Sequence, residues 1–179
     1  LPLQIDDKDQ VLSMPPIINS DNLGKISPET KNIFVECTGP NEEALDNIMN
    51  ILATMFHDWN GEIYSVTIKY DDKEVTCPSL KSIERSVSTS FVNKFIGIDI
   101  KPEETSNYLE MMGYNLVNSE DDKITISIPS VRTDIWHEVD IADDVARAYG
   151  YNNIKPTLPN VSTIGSMLPS NILAEDLCN

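Results

Sequence analysis

The apolar and polar positions of residues 1–35 read as extended structure. Val11-Leu12-Ser13-Met14-Pro15-Pro16-Ile17-Ile18-Asn19-Ser20 is apolar, but its two adjacent prolines exclude a helix and force an extended path. So apolar a run with no charge predicts burial, along the wall of a pocket. Ile33 to Thr38 is β-branched and aromatic and stops at the Gly39-Pro40 breaker, which predicts a strand. A helical rhythm follows. Leu45, Ile48, Leu52 and Met55 recur at spacings of 3, 4 and 3, with Asn41 placed as N-cap and Glu42 and Glu43 at the positive end of the helix dipole. Asn60-Gly61 is a turn, Ile63 to Tyr70 alternates as a strand, and Asp71-Asp72-Lys73 turns the chain into a short strand at Glu74-Val75-Thr76. Strand, helix and strand in this order predict an open α+β arrangement.

From Cys77-Pro78 the pattern changes. Ser86 to Ser90 is short and β-prone, and Phe91 to Ile96 reads as a helical turn ended by Gly97. Pro102 followed by Glu103 and Glu104 is a helix start; Tyr108, Leu109 and Met112 supply its apolar stripe and Gly113 its end. Tyr114 to Val117 and Lys123 to Ile128 flank Asn118 to Asp122, which predicts a β-hairpin with a loose acidic turn. Pro129 to Thr133 is a loop, and a helix runs from about Trp136 to Ala148, stopping before Gly150. Two short helices and then a hairpin is the order of a winged-helix-like module. Beyond Lys155, Pro156, Pro159 and Pro169 predict a linker-like tail.

Composition narrows the partners. The chain has 179 residues, enough for one domain or two small ones, and is 40% hydrophobic, enough for a core. No apolar run approaches the roughly 18 residues of a membrane span, and Leu1 to Asp7 has neither the basic nor the apolar region of a signal peptide. With no initiator Met and an abrupt end at Cys178-Asn179, the sequence reads as a piece of something larger. Thirteen Lys plus Arg stand against 29 Asp plus Glu, a net charge of −16. Such a chain repels polyanions unless a local basic face, from Lys81, Arg85, Lys94 and Lys101 or from another subunit, overrides the mean. Cys37, Cys77 and Cys178 form no CxxC and lie far in sequence from His57 and His137, so neither a zinc site nor a disulfide framework is indicated. Reduced thiols fit a cytoplasmic setting.

Candidate chemistry concentrates in two places. Asp140, Asp143 and Asp144 stand at i, i+3 and i+4, one face of a helix, with Asp134 in the lead-in. Like charges so spaced need an offset: Arg147, solvent and the helix dipole, or a hard cation such as Mg2+, which takes oxygen ligands. An acidic helix face that is merely solvated is the ordinary alternative. His137, at the start of that helix, reads as a capping or surface residue. In the first half Ser13, Asn19, Glu36 and Thr38 are polar residues inside apolar extended segments, where each pairs with backbone or faces a pocket. No GxSxG, Walker or HExxH motif is present.

Asp134-Ile135 with Asp140-Ile141-Ala142-Asp143-Asp144-Val145-Ala146-Arg147-Ala148-Tyr149-Gly150-Tyr151-Asn152-Asn153-Ile154 resembles the signature of the phenylalanine–tRNA ligase β subunit. Val11 to Ser20 and Thr30 to Gly39 resemble a second block of that family, in its eukaryotic and archaeal branch. The resemblance implies an α+β chain. Residues 1–73 would be the C-terminal part of a tRNA-editing module, 74–155 a winged-helix-like module, and 156–179 a linker toward a catalytic-like domain. It implies an α2β2 enzyme that attaches phenylalanine to tRNA(Phe) with ATP, with aminoacylation on the α subunit and hydrolysis of mischarged Tyr-tRNA(Phe) on the β subunit. The isolated piece would be inactive. Asp134, Asp140, Asp143 and Asp144 match carboxylates associated with Mg2+ shared with the α subunit; relatives carry Glu at the third and often the fourth, so these two reach less far. Ser13, Asn19 and Glu36 match editing-pocket positions, with Glu36 in place of an Asp. The alternatives are a winged-helix DNA-binding module and a purely structural scaffold for the α subunit.

Overall fold

The computed structural model describes residues 2–158, 160, 161, 163 and 165–178. A small antiparallel sheet comes first, β1 (Gln4–Ile5), β2 (Val11–Met14) and β3 (Ile18–Asn19), with β2 central. Helix α1 (Glu42–Asp58) and the hairpin β4 (Val66–Lys69) and β5 (Glu74–Cys77) follow. Then come β6 (Ile83–Ser88), α2 (Thr89–Ile96), α3 (Pro102–Met111), β7 (Asn115–Glu120), β8 (Lys123–Ile128), α4 (Glu138–Tyr149), a 3-10 turn at Tyr151–Asn153, and α5 (Pro169–Cys178). The third sheet has the order β6–β8–β7, all antiparallel. Mixed helix and sheet agree with the expected α+β class.

Burial is divided unequally. Nearly every buried apolar side chain lies in β6 to α4: Val87, Val92, Leu109, Ile124, Ile126, Ile141 and Val145 are each 2% exposed or less and pack in one cluster. Helix α4 packs on α2, α3 and β6, so Ile141, Ala142, Val145 and Ala146, on one helical face, close the core over the sheet. Local chemistry sets the corners. The Ser88 hydroxyl caps α2 by accepting from Phe91 N–H at 3.1 Å, and Gly97 ends it with φ +81°, which a side chain rarely tolerates. Asn93 closes the α2–α3 loop by bonding both the N–H and the C=O of Ile100. Pro102 opens α3, where the Glu104 carboxylate accepts from Lys101 N–H at 2.9 Å.

The first half has little core of its own. Among its described residues only Ser13, Pro15, Asn50 and Ala53 are buried. Helix α1 keeps the expected N-cap, Asn41 accepting from Ala44 N–H at 2.9 Å, yet Ile48 and Met55 of its apolar stripe stay nearly half exposed. Asn50 is buried instead, accepting from Leu80 N–H at 3.3 Å.

Several expectations need correction. Ile33 to Thr38 forms no strand: no described strand lies alongside to complete a ladder, and Ile33 and Phe34 are exposed. The Val11–Ser20 run is neither one extended segment nor buried throughout: it turns back at Pro15-Pro16-Ile17, where Ile17 N–H donates to the Met14 carbonyl at 2.8 Å, so that β3 pairs with β2, and Ile17 and Ile18 are exposed. The β4–β5 hairpin, whose register pairs Lys69 with Glu74, spans residue 73. The β7–β8 turn is tight, closing at Asp121-Asp122 with Asp121 at φ +48°. It is held there because Asp122 accepts from both the N–H and the hydroxyl of Ser90 at the start of α2. Helix α4 begins at Glu138, two residues later than expected. The tail expected to be a linker carries α5, which buries no residue; its Pro159 lies outside the described residues.

Candidate functional sites

A cavity of about 350 Å3 is lined by Pro15, Pro16, Ile17, Ile18, Asn19, Glu36 and Thr38. Two of the three expected pocket residues, Asn19 and Glu36, thus line one space. The third, Ser13, stands behind them, buried on β2, its Oγ 3.1 Å from Glu36 Oε1 and 3.0 Å from Gln4 Oε1. The register of β2 with β3 sets Ser13 opposite Asn19, and the Ser13–Glu36 bond ties in a residue 23 positions further along the chain. A hydroxyl has one proton to give. Turning the Gln4 amide so that its NH2 donates to Ser13 leaves that proton for Glu36. The other carboxylate oxygen, Glu36 Oε2, is buried and accepts from no donor among the described residues. A carboxylate oxygen withdrawn from water without a donor is costly and selects a ligand that brings one. Gly24 makes the loop over β3 possible, since a Cβ there would lie 2.8 Å from the Ser20 carbonyl oxygen. Gln4 went unnoticed in the sequence, where nothing distinguishes it from a surface glutamine.

The second candidate is the start of α4. Its carboxylates do not share one environment, although Asp140, Asp143 and Asp144 are close along the helix. Asp144 lies on the buried stripe, 2% exposed. Its Oδ2 accepts from the Tyr114 hydroxyl and from Arg132 Nη2, each at 2.6 Å. Arg132 also forks onto Asp134, Nε to Oδ1 at 2.9 Å and Nη2 to Oδ2 at 2.8 Å, lies over the Tyr114 ring at 5.3 Å, and reaches the Met112 carbonyl. Asp140 turns back to the helix start, where its Oδ2 accepts from Trp136 N–H at 2.8 Å and His137 N–H at 2.7 Å. His137 is therefore the N-cap residue, as expected of it. Asp143 faces outward to Arg147 at 2.8 Å and accepts from the Tyr151 hydroxyl.

Electrostatics follow from these partners. The Arg132 fork holds the Asp134 carboxyl below the usual carboxylate range, and the His137 and Trp136 amides do the same for Asp140. Burial, then the bond to Asp144, pushes the Tyr114 hydroxyl upward. Arg147 was the offset legible from spacing. Arg132, two residues before Asp134, was legible only as part of a loop, and Tyr114, thirty residues from Asp144, gave no signal. Among the described residues, no three or more His, Cys, Asp or Glu side chains converge as a metal centre requires. Each of these four carboxylates is engaged by donors of the chain itself.

The larger cavity, about 610 Å3, is lined by Glu104, Asn107, Tyr108, Glu110 and Met111, the outer surface of α3 alone, and contains none of these residues.

A compact β-α-α-β-β-α module closed by an acid-started helix defines the class. Residues 85–151 match the tRNA synthetase B5 domain. The likeness extends well beyond that module. The chain is 38% identical over 164 residues to the phenylalanine–tRNA ligase β subunit of Pyrococcus furiosus, covering 92% of this chain and 30% of that protein. It is also 38% identical over 170 residues to that of Archaeoglobus fulgidus, covering 95% and 30%. A crystal structure of an N-terminal fragment of the phenylalanyl-tRNA synthetase β subunit from Pyrococcus horikoshii superposes with a TM-score of 0.80 at 37% identity, covering 84% of this chain and 43% of that one. The chain belongs to the phenylalanine–tRNA ligase β subunit family. It spans about 30% of the length of the curated relatives it matches. No helix among the described residues is long and apolar enough to cross a membrane.

Proposed function

We propose that the chain serves in the β subunit of a cytoplasmic α2β2 phenylalanine–tRNA ligase, which joins phenylalanine to tRNA(Phe) with ATP. In it, the Ser13–Asn19–Glu36 cavity inspects the amino acid already attached to tRNA. The observation that carries this reading is the donorless Glu36 Oε2 at the wall of the cavity. Tyrosine and phenylalanine differ by one hydroxyl. A tyrosyl group offers its O–H to Glu36 Oε2, while a phenylalanyl group offers nothing and leaves the oxygen unpaired. Sites that require a hydroxyl reject the analogue lacking it strongly, because their own buried polar group goes unsatisfied. Ser13 holds the first carboxylate oxygen and so aims the second.

The β6 to α4 module is read as winged-helix-like in organisation and as scaffold in role, contacting the α subunit. Its α3 carries Glu103, Glu104 and Glu110 and no Lys or Arg, which favours protein over nucleic acid as partner. Aminoacylation belongs to the assembled enzyme, and the chain alone is expected to be inactive.

The test is hydrolysis of Tyr-tRNA(Phe) by a tetramer carrying Glu36→Gln or Ser13→Ala, with phenylalanine charging as control. Loss of a hydrogen bond to a charged acceptor should slow hydrolysis roughly 10- to 100-fold with charging unchanged. Wild-type hydrolysis in both variants would remove the cavity from editing.

A further inference from the structure

We infer that the counter-ion of the acidic start of α4 is a cation of the chain itself, Arg132, so that this module folds and holds its shape without a divalent metal. Each of the four aspartates Asp134, Asp140, Asp143 and Asp144 already has donors on the chain. Asp144 has Tyr114 and Arg132, Asp134 has both arms of the Arg132 fork, Asp140 has two backbone amides, and Asp143 has Arg147 and Tyr151. Asp144 decides the matter because it is 2% exposed. A carboxylate so placed must be ionised against a partner or be protonated. The partner is in place: Arg132 Nη2 stands 2.6 Å from its Oδ2, and the guanidinium side chain is itself 22% exposed.

A Mg2+ ion needs oxygen ligands at about 2.0–2.1 Å in octahedral array. At Asp144 Oδ2 that space is taken by a guanidinium N–H and a phenolic O–H, and a dication there would sit against the Arg132 charge. One planar fork serving a buried and an exposed carboxylate at once is also work that a lysine ammonium, a point charge, does poorly. The clasp has a structural consequence. It ties the loop before α4 through Arg132 to the end of α3 at Met112 and to Tyr114, fixing where α4 enters the core.

The test is thermal unfolding of the full chain in EDTA and in millimolar MgCl2, for the wild type, Arg132→Met and the double variant Arg132→Met/Asp144→Asn. Any ion that binds only the folded chain must raise Tm. The expected results are equal wild-type Tm in the two buffers, a lower Tm for Arg132→Met, and partial recovery in the double variant, because the stranded carboxylate is gone. If Arg132→Met fails to fold, recovery of helical circular dichroism in the double variant supplies the same comparison. The inference is overturned by a wild-type Tm that rises in MgCl2, by Arg132→Met matching the wild type, or by a double variant no better than Arg132→Met.

Discussion

Replacing Tyr114 by Phe removes one oxygen and little else. The ring is 3% exposed and packs in the core, so the volume of the site is kept and the effect isolates the hydroxyl. That hydroxyl donates to the buried Asp144 carboxylate at 2.6 Å. A hydrogen bond to a charged group contributes about 1.5–3 kcal/mol. Asp144 keeps its bond to Arg132 in the variant, which places the loss toward the lower end, about 2 kcal/mol. With a urea slope of about 1.5 kcal/mol/M, the midpoint should fall by roughly 1 M. The dependence on pH gives a second and sharper readout. Burial and Asp144 raise the folded-state pKa of Tyr114, so its neutral form is the one the fold favours. The stabilisation is then complete below the unfolded tyrosine value of about 10 and declines as pH rises through the folded value, by at most about 1.4 kcal/mol per pH unit. Urea titrations at pH 7, 9 and 11, followed by circular dichroism, should show the gap between wild type and Tyr114→Phe narrowing above pH 10. Equal midpoints at pH 7, or a gap that widens with alkali, would refute the reasoning.

Asn41→Ala should lower stability by about 1 kcal/mol, the usual worth of an N-cap, because Asn41 accepts from Ala44 N–H at the start of α1; helix content by circular dichroism through a urea titration checks it. Burial pushes the Cys77 thiol upward while Cys178 is exposed. Iodoacetamide at pH 8 should therefore label Cys178 before Cys77, read by mass spectrometry of digested peptides; faster labelling of Cys77 would contradict its burial.

How much of this was legible in the sequence depended on range. Helices α1, α2 and α3 were legible because their signals are local: Asn41 three residues before the amide it caps, Gly97 in the one conformation that ends its helix, Pro102 at a first turn. The β7–β8 pair was legible for the same reason, since its two strands are adjacent in the chain. The Ile33 to Thr38 segment misled because strand composition describes a surface willing to pair, and pairing needs a neighbour that composition does not supply. The two sites divide in the same way. The residue types of the cavity could be picked out one by one, as polar side chains inside apolar runs. That Ser13 holds one oxygen of Glu36 and leaves the other bare was decided by the β2–β3 register and the path of residues 33–38. On α4 the spacing placed three carboxylates close together but could not say which way each would turn. The fold sent Asp144 inward to Tyr114, thirty residues away, gave Asp134 and Asp144 one shared arginine, and spent Asp140 on the helix cap. Spacing fixes which groups are near along one helix, whereas burial against distant elements fixes which of them needs a partner and which partner it finds.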